Sequence, residues 1–289
     1  ESVTARTLAV VDLGPNSFRL EIARIEGDQI YRQDTWRETL RFGAGLDGKG
    51  RIRPAAMKLA LACLARFRER LSGVHPSALR AVATSAFRVA ANAREFLPRA
   101  ERALGCPIDV IGGHEEARLI YLGVAHELPP SDAPRLVVDI GGGSTEFIIG
   151  RGLEPERLES LTLGCVSTTR KFFPDGIVSA SAFAAAETAA RVEMEAIAGD
   201  FGAAHWKSAY ASSGTAADLA EILEQNGFSG GGITPAGLAR LRQRLIRARN
   251  PARLKLNALK PAPVPGRAGR RRIMSAAGYE LDRERMHPA

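Results

Sequence analysis

Apolar positions along the chain fall into two periods. Residues 7–12 and 18–25 alternate as strands do, with Gly27-Asp28 as a turn, and residues 29–42 extend the pattern to a third strand. Pro54 then opens a helix, because Ala60, Leu64, Phe67 and Leu71 recur at helical spacing behind a residue suited to the first helical position. Residues 79–84 predict a short strand, 90–104 a second helix and 108–111 another strand. A further helix begins near His114 and lines up Ala117, Ile120, Tyr121 and Val124 on one face. The stretch 128–134, LPPSDAP, has linker composition. Beyond it the order recurs: hairpin strands, an alanine-rich helix over 179–198, a strand over 208–212 and helices after Gly214. Strands alternating with helices, in two copies, predict an α/β architecture with domains at 1–128 and 129–289.

The recurrence extends to single residues. Val137–Gly150 reads VVDIGGGSTEFIIG, and Leu8–Arg24 reads LAVVDLGPNSFRLEIAR. With Asp12 placed over Asp139 the two register without a gap: Leu13 on Ile140, Gly14 on Gly141, Ser17 on Ser144, Leu20 on Phe147 and Ile22 on Ile149. Two unrelated glycine hairpins would share the glycines; the common Asp-x-Gly-x-x-Ser order favours a duplicated strand-turn-strand unit, two domains facing one cleft.

Composition narrows the class of protein. Three cysteines, Cys63, Cys106 and Cys165, have no metal-ligand spacing and an odd count, which points to reduced thiols and a cytoplasmic protein. No stretch approaches the about 20 apolar residues of a membrane span, and residues 1–6 are polar where a signal peptide would be expected. The formal charge of +8 suits polyanionic partners. Sequence-specific nucleic-acid binding is not expected, since aromatic residues are scarce and no basic strand interleaves with them. His75, His114, His126, His205 and His287 are scattered, against a histidine-bound metal. The GAGLDGKG run at 43–50 imitates two nucleotide-binding spellings but lacks the strand-loop-helix context and the Ser or Thr they require.

The chemistry concentrates in the two turns. Gly141, Gly142 and Gly143 let the backbone wrap an anion and aim N–H groups at it, with Ser144 and Thr145 adding hydroxyls. Asn16 and Ser17 occupy the first turn. Asp12, Asp139 and Glu146 would repel a phosphate unless a cation such as Mg²⁺ lay between. A turn aspartate that only caps its own backbone is the alternative for either Asp alone. Glu115 and Glu116 open the helix near His114, where acids also serve the helix dipole. Glu116 lies at the edge of the apolar face and Glu115 about 100° away; Glu116 is thus placed to activate water, with dipole capping as the other reading. Arg88 is placed to clamp phosphate or to face solvent. Ser213, Gly214 and Thr215 form a second strand-to-helix turn able to hold an anion.

At DLGPNSFRL, RFGAGLDGKGRI, ATSAFRVAAN, VIGGHEEARLIYLGV, VVDIGGGSTEFIIG, LGCVSTTRKFF and SSGTAADL the chain resembles the exopolyphosphatase/guanosine pentaphosphate phosphatase family, in the family's order over most of residues 7–260. The resemblance implies a two-domain actin-like (acetate and sugar kinase/Hsp70/actin), ribonuclease H-like fold. It implies Mg²⁺-dependent removal of the terminal phosphate from polyphosphate or guanosine pentaphosphate, with Mn²⁺ as a substitute and K⁺ as a compatible accessory ion. It makes Glu116 the water-activating base, and aligns Asp139 and Glu146 with essential acids and Arg88 with a substrate-facing arginine. A homodimer is compatible with it. A kinase or ATPase of the same fold, and a non-catalytic polyphosphate or guanosine tetraphosphate sensor, are the competing readings. Three departures stand out. Pro15 replaces a Ser or Thr, Gly112 replaces a Ser, and residues 262–272, APVPGRAGRRR, replace an Arg-Ala-Asp followed by a Gly-Gly pair, as a compensated frameshift would. The end at residue 289 falls before an apolar helix expected from the family, which suggests a shortened chain.

Overall fold

A computed structural model describes residues 6–27, 29–74, 79–259 and 279–281. The frameshift expected at 262–272 lies outside the described residues. The chain divides into two compact units, Glu1–Gly113 and His114–Ala289.

The first unit is built on a mixed sheet. Strands β1 (Arg6–Leu13), β2 (Ser17–Glu26) and β3 (Gln29–Thr39) form an antiparallel meander. Helix α1 (Pro54–Arg70) leads to β4 (Leu79–Ala83), and α2 (Ser85–Val89) and α3 (Ala93–Leu104) lead to β5 (Asp109–Val110), with β4 and β5 parallel to β1. The sheet order is β3-β2-β1-β4-β5. Alternation puts Ala9, Val11 and Leu13 of β1 and Phe18 and Leu20 of β2 on the buried face, against Leu64 and Phe67 of α1 and Phe96 and Leu104 of α3. Phe18, Phe42, Phe87 and Phe96 form the centre of this core, with Phe42 and Phe87 stacked at 4.9 Å.

One expected helix starts late. The pattern over 90–104 predicts a helix, which is found as α3 from Ala93, while the short α2, ending at Val89, lies ahead of the predicted range. The buried Asn92 accepts a hydrogen bond from Ile52 N–H at 2.7 Å and donates one to Ile52 C=O at 3.2 Å, while Ala91 N–H donates to Gly50 C=O. These bonds to a distant segment displace the helical ones, and no local pattern encodes them.

The second unit repeats the plan. Helix α4 (Gly113–Glu127) precedes β6 (Arg135–Ile140), β7 (Thr145–Arg151) and β8 (Glu154–Leu161), a second antiparallel meander. Helices α5 (Cys165–Phe172), α6 (Ala180–Glu195) and α7 (Ala198–Phe201) lead to β9 (Ser208–Ser212), parallel to β6. Helices α8 (Ser213–Gln225) and α9 (Pro235–Ala248) follow, and β10 (Tyr279–Leu281) pairs with β9. The order β8-β7-β6-β9-β10 matches that of the first sheet, except that β10 runs antiparallel to its neighbour and β5 parallel. One face, with Leu136, Phe147 and Ile149, packs on Ile197, Phe201 and Trp206. The other, with Val137 and Ile148, is covered by Ala117, Tyr121 and Val124 of α4. Helix α4 and the LPPSDAP stretch therefore group with the second unit, whereas composition places a boundary after residue 128. Gly150 is required by this packing: a Cβ there would lie 2.5 Å from the Tyr121 ring, whose hydroxyl donates to Gly152 C=O at 3.2 Å.

Among the described residues no helix is long and apolar enough to cross a membrane. Changing Asn92 to Ala is expected to lower stability by about 2–3 kcal/mol, because it orphans the N–H and C=O of Ile52 in the first core. Urea unfolding of the variant measures this; a loss near that of an exposed alanine substitution would contradict it.

Candidate active site

Each glycine turn is held by its carbonyls to a neighbouring segment of its own unit. In the second unit Gly141 N–H donates to Ser144 C=O at 2.9 Å and closes the turn. The carbonyl of Gly141 accepts from Cys165 N–H at 3.0 Å, and that of Gly142 from Val166 N–H at 2.8 Å and Ser167 N–H at 3.1 Å. These donors are the first amides of α5, which have no partner within their own helix. A trans peptide points its C=O and N–H in opposite directions, so tying both carbonyls to α5 turns the N–H groups of Gly142 and Gly143 away from it. The approach is close enough that a Cβ on Gly164 would lie 2.4 Å from the carbonyl of Gly142. In the first unit Asn16 C=O accepts from Leu40 N–H at 3.0 Å and Arg41 N–H at 2.8 Å, and Pro15 C=O from Gly43 N–H at 2.6 Å. The N–H of Asn16 is thereby turned outward in the same way.

Strand register then sets a polar row across the second sheet. Ser160 of β8 is opposite Glu146 of β7, Glu146 is opposite Asp139 of β6, and Asp139 is beside Ser212 of β9. The β9–α8 turn lies next to the glycine turn, and Thr215 Oγ1 is 3.7 Å from Cys165 Sγ. Ser213 holds a φ of 90°, a left-handed conformation unusual for a residue with a side chain, while its hydroxyl accepts from Ala216 N–H at 3.2 Å. Helix α4 lies over the same face of the sheet. Its Glu115 pairs with Arg118 at 2.7 Å and is turned to solvent. Glu116 is half-buried and close enough for its charge to act on Glu146. His114, at the same helix end, is 3.6 Å from Glu159 of β8.

Glu146 is the electrostatic centre of the row. It is 1 % exposed, and Ser160 Oγ donates to its Oε1 at 2.8 Å. Burial raises its pKa from 4.5 to about 7, and the charges of Glu116 and Asp139 push the same way; hydrogen bonds from Ser144 and Ser160 oppose the shift. The equivalent row in the first unit differs in sign: Arg37, Arg19, Asp12 and Val82 stand side by side on β3, β2, β1 and β4. Arg19 holds the place of Glu146. Arg37 Nε donates to Ser17 Oγ at 2.9 Å.

Most residues expected at the site fall into these two constellations. Glu116, Asp139, Glu146, Gly141–Ser144 and Ser213–Thr215 come together in the second unit, and Asp12, Asn16 and Ser17 in the first. Arg88 is half-buried and donates from Nη1 to Ile111 C=O at 3.0 Å. Thr145 is buried, with its hydroxyl donating to Leu163 C=O at 2.5 Å, so that group braces the turn. Sequence reasoning gave no site role to Ser160, Gly164 or Ser167, although the last two lie within the LGCVSTTRKFF motif. The duplication carried the signal for Ser160: a third strand in the first copy implies one after β7.

Two ribonuclease H-like sheets in tandem, each with a glycine turn whose amides face outward beside an aspartate, define an actin-like class of phosphate-handling protein. Residues 22–287 match the Ppx/GppA phosphatase family, and the chain belongs to it. An exopolyphosphatase from Cytophaga hutchinsonii, 26% identical, aligns with a TM-score of 0.77 over 88% of this chain and 84% of its own. An exopolyphosphatase-like protein, 29% identical, aligns at 0.71 over 76% and 69%. The PPX-GPPA enzyme of Aquifex aeolicus, 28% identical, aligns at 0.63 over 76% and 72%.

The elevated proton affinity of Glu146 makes stability depend on pH. The unfolded chain releases this proton near 4.5 and the folded chain near 7, so the folded state holds the extra proton between them. Stability therefore falls as pH rises through that window, by about 3 kcal/mol in all. Glu146→Gln is expected to match the parent at pH 4.5 and to exceed it by about 1–3 kcal/mol at pH 8, measured by urea unfolding in chelator. An equal difference at both pH values would contradict the assignment.

Proposed function

We propose that this phosphatase hydrolyses the terminal phosphoanhydride bond of linear polyphosphate, of guanosine pentaphosphate, or of both, with Mg²⁺ as cofactor. The observation that carries this reading is the joining of three acids, Glu116, Asp139 and Glu146, with outward-turned amides at one turn. Mg²⁺ takes one or two carboxylates and completes its shell with water and phosphate oxygens. Asp139 and Glu146, directly opposite in register, supply that many. Among the described residues no group of three or more His, Cys, Asp or Glu could hold a metal ion by itself, so a cation here would take most of its ligands from substrate and water. Mn²⁺ suits the same oxygen donors. When bound, the cation would neutralise charge on the phosphoryl oxygens.

The chain's own groups divide the remaining work. The N–H groups of Gly142 and Gly143 hold phosphoryl oxygens, stabilising charge as it builds in the transition state. Glu116 orients the attacking water and takes its proton. Ser144 and Ser160 fix the carboxylate of Glu146. Asp12, Asn16 and Ser17 offer the same kinds of donor at the first turn.

Glu116→Gln is expected to reduce kcat by about 10²–10⁴ with KM changed little. Phosphate release is followed side by side on polyphosphate, guanosine pentaphosphate and ATP. Turnover at the parent rate would eliminate Glu116 as the base, and parent activity confined to ATP would overturn the substrate assignment.

A further inference from the structure

The second unit carries a basic strip that the site described above does not use. Residues 225–259 hold six arginines and one lysine and no acid. That stretch supplies +7 of the formal +8, leaving +1 for all other residues. Each of the other long helices, α1, α3, α4, α6 and α8, contains at least one Asp or Glu; α9 contains none. Helix α9 buries Gly237 and Leu241 against the core of α8. Arg240, Arg244 and Arg247 recur at i, i+4 and i+7, so they form one stripe spanning about 10 Å. Arg249, Arg253 and Lys255 continue the charge past the helix end, and all six of these cations are exposed.

Arginines elsewhere in the chain are matched by acids, as in Arg66 with Glu38, Arg51 with Glu95 and Arg118 with Glu115. Among the described residues, the α9 arginine matched by an acid is Arg242, which pairs with Glu187 at 3.0 Å and also lies over the Phe183 ring, while Arg240 Nη1 donates to the backbone C=O of Gly227 at 3.3 Å. Arg242 points away from the stripe, by helix geometry. Like charges at i, i+3 and i+4 oppose one another, so the stripe is a cost to the helix that an anionic ligand would relieve. The end of α9 favours Arg247 through the helix dipole, but Arg240 and Arg244 lie too far from it for that explanation.

We infer that the strip from Arg240 to Lys255 is an accessory binding track for linear polyphosphate, separate from the turn that holds the reacting phosphate. The ligand class follows from composition. Residues 229–259 contain no Phe, Tyr or Trp, so nothing there offers a base a stacking surface. A strip of guanidinium groups without aromatics suits a polyanion made of phosphate alone. A ligand as short as guanosine pentaphosphate does not need such an extended surface. The inference rests on the proposed phosphoanhydride hydrolysis and refines it toward polyphosphate.

The test is a triple variant, R244Q/R247Q/R253Q, set against a control of equal charge loss on α3, R94Q/R99Q/R102Q. Binding of end-labelled long polyphosphate is measured by fluorescence anisotropy, and hydrolysis is measured on long polyphosphate and on tripolyphosphate. The strip variant is expected to lose about tenfold or more in affinity and in KM for the long chain, and its slope of log affinity against log salt is expected to fall by about two. Its kcat on tripolyphosphate stays at the parent value, as does the control on every substrate. Unchanged long-chain affinity in a hydrolytically active protein overturns the strip and leaves the function standing. Lost long-chain binding in a protein that hydrolyses nothing supports the strip and overturns the function. Equal losses in the control reduce the effect to net charge and overturn the inference. Displacement of polyphosphate by single-stranded RNA at lower phosphate concentration than by polyphosphate itself would assign the strip to nucleic acid instead.

Discussion

The amides of Cys165, Val166 and Ser167 hold the carbonyls of Gly141 and Gly142, and the direction of everything the turn presents follows from that. The bonds satisfy both partners at once: helix α5 loses its unpaired N–H groups, and the turn gains a fixed peptide orientation. A glycine turn alone is permissive and would sample many orientations at an entropic cost on binding. Docked on α5, it offers N–H groups already aimed. Gly164 is the condition for this contact, since any side chain there would drive α5 off the turn. The first unit solves the same problem with the segment after β3, where Leu40, Arg41 and Gly43 hold the carbonyls of Pro15 and Asn16.

This also explains what the amino-acid sequence disclosed and what it withheld. The central strands were legible because burial on one face forces alternation, as in Ala9, Val11 and Leu13. The glycine turns were legible because only certain residues can form them. Helix α5 has no buried residue, so it carries no apolar period to detect; its place comes from hydrogen bonds to a turn 20 or so residues earlier. Strand β8 sits at the sheet edge and is never fully buried, so EPERLESL reads as polar chain. Helix α4 showed its apolar face plainly, but a periodic face does not name its partner, and it packs on Val137 and Ile148 of the second unit. Asn92 delays the start of an expected helix by three residues through contacts 40 residues away. Glu116 was distinguished from Glu115 by helix geometry alone, and the Glu115–Arg118 pair agrees with that distinction.

The two copies have kept a scaffold and diverged in charge. Across the second sheet the row reads Ser160, Glu146, Asp139, Ser212; across the first it reads Arg37, Arg19, Asp12, Val82. One aspartate is common to both. Beside it, one copy places a buried acid and the other an exposed arginine. An acidic row attracts a cation, and a row with two arginines attracts phosphate oxygens directly. The duplicated backbone thus keeps the aspartate and changes the other three positions of the row, so that each copy favours a ligand of a different charge.

Glu146 shows how finely that difference is balanced. Two hydroxyl donors favour its charged form, while burial and two neighbouring acids disfavour it, and the net result is a proton released near neutrality. A carboxylate more exposed than this would hold its charge without help but would also be screened by water and would attract a cation weakly. A carboxylate buried without Ser144 and Ser160 would stay protonated and attract none. At its actual balance, on the proposed reading, the group carries a proton that a divalent cation would displace, which would link cation binding to proton release. On the proposed reading, the same burial that destabilises the empty fold above pH 4.5 makes Glu146 responsive to the ion that the reaction requires.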